Sequence, residues 1–260
     1  VFLSGALRGD QNTAFGMNTD WIWYPSLSMS WVVSEESFFP QLPGLNGLRL
    51  RAAYGQSGLR PGPTDAIQSF ATAITRVGSA DAPAIAFSAI GNPDLRPERS
   101  TEWEFGFESE FFDGRLGLEA TYFSKSSTDA LVSKPLPPSI GSAGSRYENI
   151  GRVDNNGFEF ALNTQPVRSQ DLVWSVNLSS SFINNELVDL GTDARGEPIP
   201  DIVFGLGSTQ RHKEGYPLGS YFHFPITYED ANGDGLLSPS EVQVRTDTVV
   251  YLGSPMPKRE

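Results

Sequence analysis

Apolar and polar residues alternate with a period of two along most of this chain. Leu27, Met29 and Trp31 alternate with Ser26, Ser28 and Ser30. Leu48, Leu50, Ala52 and Tyr54 fall on one side of their segment, with Arg49, Arg51 and Ala53 on the other. Trp103, Phe105, Phe107 and Phe111 alternate with Glu102, Glu104, Glu108 and Glu110, and Gly106 and Phe112 break the polar set. Leu116, Leu118, Ala120 and Tyr122 alternate with Gly117, Glu119, Thr121 and Phe123. The same rhythm runs through Phe158, Phe160 and Leu162, and again through Leu172, Trp174, Val176 and Leu178. Successive side chains of a strand point to opposite faces, so each run predicts a half-buried β-strand. No window of comparable length shows the helical period.

The predicted strands run about 9–12 residues, where ordinary globular strands have about 5–6. That length suits a tilted strand crossing a bilayer. The connections differ in length. Phe112-Asp113-Gly114-Arg115 reads as a tight Asp-Gly hairpin, 164–171 is short and 34–46 moderate. Long polar connections are predicted over 9–24, 58–100, 124–155 and 184–248. Short turns at one end and long loops at the other are the pattern of an outer-membrane barrel. Trp21, Trp23, Tyr24, Trp31, Trp103, Phe111, Phe112, Tyr122 and Phe123 sit near predicted strand ends, where interfacial girdles would place them.

Alternation alone favours a soluble β-sandwich with the aromatics in its core. Strand length, loop asymmetry and polar but mostly uncharged second faces favour another reading. It is all-β: seven complete strands and part of an eighth from an antiparallel transmembrane β-barrel. Leu118, Phe105, Phe160 and Val176 are then expected to face lipid. The turns at 113–114 and 164–171 are expected on the periplasmic side, and 58–100, 124–155 and 184–247 outside.

Composition narrows the partners. The 260 residues include 19 Lys plus Arg against 31 Asp plus Glu, a net charge of −12. That balance disfavours nucleic acid and anionic membrane surfaces. With no cysteine, neither a disulfide framework nor a thiolate metal site is available. No run approaches eighteen consecutive apolar residues, so no transmembrane helix is expected. Val1-Phe-Leu-Ser-Gly5 has neither an initiator Met nor the basic start of a signal peptide, and the chain ends at Lys258-Arg-Glu260. An internal fragment of a longer protein is the expectation.

One segment does not belong to the strand pattern. Asp230-Ala-Asn-Gly-Asp-Gly-Leu-Leu-Ser-Pro-Ser-Glu241 places oxygen side chains at positions 1, 3, 5 and 9, Gly at 6 and Glu at 12. A calcium ion would take Asp230, Asn232, Asp234, the Leu236 carbonyl, Ser238 directly or through water, and Glu241. The competing reading is an Asx-rich turn that binds nothing. Pro225 and Pro239 flank or enter the run, and no helix precedes it, unlike a helix–loop–helix site.

Catalytic readings are weak. Glu102, Glu104, Glu108 and Glu110 are two residues apart on a strand, which describes a polar lumen side better than a glycosidase pair. His212 and His223 lack a nucleophile in motif context, and no helix follows the glycine runs as a phosphate loop requires. No enzyme is expected.

Seven segments, in order, resemble those of a known family. They are Tyr24-Pro-Ser-Leu-Ser-Met-Ser-Trp31 running on to Phe39, Leu48-Arg-Leu-Arg-Ala-Ala-Tyr-Gly-Gln-Ser-Gly58, and Gly91-Asn-Pro-Asp-Leu-Arg-Pro-Glu-Arg-Ser-Thr-Glu102. Next come Asn149-Ile-Gly-Arg-Val-Asp-Asn-Asn-Gly-Phe-Glu159, Glu214-Gly-Tyr-Pro-Leu-Gly-Ser-Tyr-Phe222, Tyr228-Glu-Asp-Ala-Asn-Gly-Asp-Gly235 and Gly253-Ser-Pro-Met-Pro-Lys258. Together they resemble the barrel domain of the SusC/RagA-type TonB-dependent outer-membrane transporters. Each alone is turn chemistry plus an amphipathic strand; their order carries the likeness. The resemblance covers almost the whole chain and roughly a quarter to a third of such a transporter.

It implies a bacterial outer-membrane location and TonB-dependent import of a large nutrient, an oligosaccharide or a peptide. It also implies contact with outer-membrane lipid, a SusD-like surface lipoprotein, and coupling to the TonB complex through a plug that these residues do not include. A passive porin-like or autotransporter barrel, and a secreted calcium-dependent β-sandwich module, are the alternatives.

Overall fold

The computed structural model describes residues 1–11, 21–137, 139, 144–192 and 197–259. The six period-two segments, joined by Phe2–Asp10, form one seven-stranded antiparallel sheet. Its strands are β1 (Phe2–Asp10), β2 (Ile22–Val32), β3 (Leu45–Leu59), β6 (Glu98–Phe111), β7 (Leu116–Pro135), β8 (Ser145–Arg168) and β9 (Val173–Asp189). They lie in the order β1-β2-β3-β6-β7-β8-β9, and the sheet is open at β1 and β9. The expected start of a further strand appears as a bridge between Phe182 and Arg259, with Ile183 N–H donating to the Lys258 carbonyl at 3.1 Å.

Register extends the alternation across the sheet. Met29 pairs with Ala52, Ala52 with Phe105, Phe105 with Tyr122, Tyr122 with Phe158 and Phe158 with Phe182. One residue along, Glu104 pairs with Phe123, Phe123 with Gly157 and Gly157 with Ile183. Leu118, Phe105, Phe160 and Val176 share one face, as the alternation requires. Among the described residues no second sheet covers it: Phe105 is 51% exposed, Phe158 59% and Leu178 55%. A sandwich would bury these side chains; a barrel gives them to lipid.

The strands are longer than the hydrophobic pattern predicts. β7 has 20 residues, β8 24 and β9 17. Most of 124–155, expected as a loop, is therefore strand. The apolar alternation stops where lipid would stop, but backbone pairing does not. Ser124 to Thr128 pair residue for residue with Asn156 to Arg152. Their N–H and C=O groups find partners in the ladder whatever the side chains are. Within this stretch 138 and 140–143 lie outside the described residues, as do 12–20 of the expected loop 9–24 and 193–196 of the long excursion.

The expected loop 58–100 contains a separate hairpin, β4 (Ser69–Val77) and β5 (Ala80–Ala89), paired only with each other. Its Ala-rich second face gave no polar contrast to read. Residues 202–253 contain a four-stranded sheet of β10 (Ile202–Phe204), β11 (Gln210–His212), β12 (Ser220–His223) and β15 (Val250–Gly253). A two-stranded ribbon, β13 (Ile226–Tyr228) with β14 (Val242–Val244), extends from it. Because β9 continues to Asp189, this excursion leaves the sheet at 190 rather than 184.

At the opposite end the connections are tight. Phe112, Asp113 and Gly114 take left-handed backbone conformations (φ 53°, 56° and 78°). Asn46 holds that turn, accepting from Asp113 N–H at 2.8 Å and donating to the Asp113 carboxylate at 3.1 Å. Gly44, at φ 86°, leaves room for the Phe112 ring, 2.9 Å from where a Cβ would stand.

Candidate functional site

Two faces and one rim make up the candidate site. On the apolar face, five rows run from Phe111–Leu116 to Trp103–Ser124. Eight residue steps at ~3.4 Å give about 27 Å along the strands, or about 20 Å of height at a ~40° tilt. That is close to the apolar band of an outer-membrane barrel, about 25 Å tall. Aromatics mark both edges. Tyr54 packs on Trp103 with ring centroids 4.5 Å apart, and Trp21 stacks on Trp23 at 5.9 Å. At the short-turn edge Trp31 lies 6.0 Å from Phe38 and donates to Glu36 at 2.8 Å.

The opposite face is polar and charged. Arg49 and Arg51 each reach Glu108 at 3.2 Å, and Arg51 also pairs with Glu119 and donates to Thr121 at 3.2 Å. These groups come from β3, β6 and β7, brought side by side by register rather than by sequence proximity. Gly106 sits among them, where a Cβ would stand 3.4 Å from the Arg51 guanidinium. Among the described residues Glu104, Glu110 and Glu159 have no ion-pair partner, so the face carries an acidic surplus. Of the four glutamates that suggested a glycosidase pair, Glu108 is committed to two arginines and Glu102 faces Lys125 at 4.0 Å. The arrangement is that of a solvated wall.

Above the band, sequence segments far apart are tied together. Asn149 accepts from Arg96 N–H at 2.8 Å and donates to the carbonyls of Arg96 (2.7 Å) and Asp129 (2.8 Å). Arg96 pairs with Asp129 at 2.6 Å. The turn Asn92-Pro93-Asp94-Leu95 thus docks on β8 with Leu95 buried. Glu148 meets Arg146 at 2.8 Å and Lys134 at 3.1 Å. Burial alone would raise its carboxyl, but these donors outweigh it and hold the group below the usual carboxylate range.

The buried cluster of Ala130, Val153, Leu187, Leu190 and Ile202 lies here, with Val132, Ile199, Phe204 and Leu218 packed on it. Leu187 exchanges backbone hydrogen bonds with Tyr216 and Gly215, both 2.9 Å. His212 packs at a tilt against Phe204, with ring centroids 4.6 Å apart, and its Nδ1 accepts from Gly219 N–H at 3.2 Å. Burial pushes this imidazole below its ordinary value. Neither the ties made by Asn149 nor the Asn185–Asn155 contact at 2.7 Å is legible in the sequence, because asparagines next to glycine or charged residues read as turn chemistry.

The six residues of the calcium motif lie in the exposed loop between β13 and β14. Asp230 accepts from the N–H groups of Gly233 (2.7 Å), Asp234 (3.2 Å) and Gly235 (2.8 Å). Asp234 accepts from Leu236 N–H at 2.7 Å and from the Asn232 amide at 2.9 Å. Glu241 accepts from Ser238 N–H (2.8 Å), the Ser238 hydroxyl (2.8 Å), Ala231 N–H (3.0 Å) and Asn232 N–H (3.3 Å). The Ser238 donors, first of these, lower the Glu241 carboxyl. Among the described residues no group of three or more His, Cys, Asp or Glu is arranged to hold a metal.

Comparison with known proteins places this architecture. Residues 1–247 match the family described as "TonB dependent receptor-like, beta-barrel". The chain is 29% identical to TonB-dependent receptor P26 of Formosa agariphila, over 96% of this chain and 27% of that protein. It is 26% identical to TonB-dependent receptor SusC of Bacteroides thetaiotaomicron, over 90% of this chain and 26% of that one. Among solved structures, the RagAB peptide importer in its "closed-closed" state superposes with a TM-score of 0.79 at 21% identity, over 99% of this chain and 29% of that one. The chain spans about a quarter of the length of the curated relatives it matches.

Proposed function

Because the chain belongs to the TonB-dependent receptor β-barrel family of outer-membrane proteins, we propose that the protein containing it imports a large nutrient, an oligosaccharide or a peptide, with energy supplied through TonB. Here the seven strands are barrel wall, the apolar band meets outer-membrane lipid, and the long connections stand outside the cell. A SusD-like surface lipoprotein covers that end, and a plug beyond this chain couples the barrel to the TonB complex. One observation carries the reading: a single sheet with an uncovered apolar band on one face and an ion-paired polar face on the other, in a chain that matches the family over nearly its whole length.

Both substrate classes stay in view. The relatives include SusC and, as a structural neighbour, an importer described as taking peptides. The direct experiment deletes the gene for the whole protein and measures growth of the parent bacterium on oligosaccharide and on peptide mixtures. Restored growth that depends on TonB supports the proposal. Uptake that persists after TonB is inactivated would instead make the barrel a passive pore.

For the loop 230–241 we propose a structural calcium ion, supported by donor spacing alone. Its carboxylates already accept backbone N–H groups, which is the competing outcome. Calcium calorimetry on the full-length protein, wild type against Asp234→Ala with Glu241→Ala, separates the two. Binding in the roughly 10⁻⁴–10⁻³ M range of extracellular modules, lost in the variant, supports the ion. Identical heats leave only the turn.

A further inference from the structure

We infer that the excursion 190–257 folds over the inner, polar side of the barrel rim, so that a solute entering from that end meets this segment before it meets the wall. The excursion has both feet on β9. It leaves at Asp189 and returns where Lys258 and Arg259 meet Ile183 and Phe182. A segment so anchored could lean to either side of the sheet, and side-chain parity decides which.

Glu159 pairs with Ser181, Gly157 with Ile183, Asn155 with Asn185 and Val153 with Leu187. Alternate residues of a strand share a face, so Val153, Leu187, Asn155 and Asn185 lie on the polar side with Glu159. These are the residues the excursion grips. Leu187 (0% exposed) and Val153 (3%) form one core with Leu190 and Ile202. Asn185 accepts from Leu218 N–H at 2.7 Å while donating to Asn155 at 2.7 Å.

On the other face at this height stand Ser126, Asp154 and Glu186. Ser126 donates to Asp154 at 2.7 Å, and Arg152 pairs with Asp154 at 3.1 Å, all within the sheet itself. That face offers the excursion no apolar seat. In a barrel whose apolar band faces lipid, the gripped face is the lumen side, and the excursion narrows the mouth. Its role as an entry constriction rests on the import reading; the side on which it lies does not.

The test uses the full-length protein, freed of other accessible cysteines, in intact cells. A single cysteine replaces Asn155 or, separately, Asp154; the two are chain neighbours at one height on opposite faces. Labelling by a bulky, membrane-impermeant maleimide is compared with the excursion intact and with 198–255 replaced by a short Gly-Ser linker. Only molecules with heat-modifiable barrel mobility are counted. If the linker variant does not assemble, Leu190→Asp with Ile202→Asp loosens the same seat without shortening the chain.

The expected result is a several-fold rise in labelling at Asn155→Cys, with Asp154→Cys unchanged. A rise at Asp154→Cys alone, an equal rise at both, or no rise at either overturns the inference. Loss of nutrient uptake by every variant and by the wild type would count against the import reading alone, because labelling needs no transport.

Discussion

At the middle of the apolar band, Phe107, Ala120 and Phe160 lie in one row across three strands, and Glu159 points the other way beside Phe160. An arginine in that row would have to sit at bilayer mid-depth. Phe160→Arg should destabilise the barrel by about 2–4 kcal/mol, whereas Glu159→Arg, turned toward water, should leave stability nearly unchanged. Urea unfolding of the full-length protein in lipid vesicles measures both; equal costs would mean the faces are misassigned. His212 gives a second prediction. Its pKa is lowered in the fold, so the neutral form is favoured there and the unfolded chain binds more protons. The stability it lends is present above about 6.5, the unfolded value, and is lost as pH falls through the folded one. Hydrogen exchange in 199–223 should therefore accelerate as pH drops below about 6.5, after correction for intrinsic rates. His212→Gln should flatten that response; an unchanged profile would rule it out. The facing of residues was legible because lipid and water sort side chains with period two. The role of Asn149 was not, since its three hydrogen bonds join segments 53 and 20 residues away.

Among the elements, β4 and β5 differ from the barrel strands. They pair only with each other, and Ile74 and Ile85 are 81% and 75% exposed. A lone two-stranded hairpin is marginal in water. β7 and β8 pair over nineteen positions, with a neighbour on each outer side. In the full-length protein the amides of β4 and β5 should exchange with solvent much faster than those of β7 and β8 below Thr128. Comparable protection would mean that another part of the protein covers the hairpin. Strand existence was legible inside the band, where Phe, Trp and Leu alternate with Glu, Gly and Ser. Strand ends were not. Above the band, Ser124 to Thr128 are polar on both faces, and Arg152 to Asn156 are polar but for the single Val153, so no period-two contrast marks where pairing stops.

At the scale of the whole molecule, the sheet has two unlike ends. The turns at 33–44, 112–115 and 169–172 lie at one, and the hairpin β4–β5, the extensions of β7–β9 and the excursion 190–257 lie at the other. The order of short and long connections made this asymmetry legible from sequence. The excursion's own sheet and core were not, because its strands are only three or four residues long. We propose that this sheet spans the outer membrane with its long end outside. Single-cysteine labelling of the full-length protein on intact cells, with an impermeant maleimide, tests it at Asp247, on the excursion, and at Arg115, in the tight turn; both are exposed. Asp247→Cys should label on intact cells, and Arg115→Cys only after the envelope is opened. Labelling of Arg115→Cys on intact cells, at a rate equal to or above that of Asp247→Cys, would contradict the account.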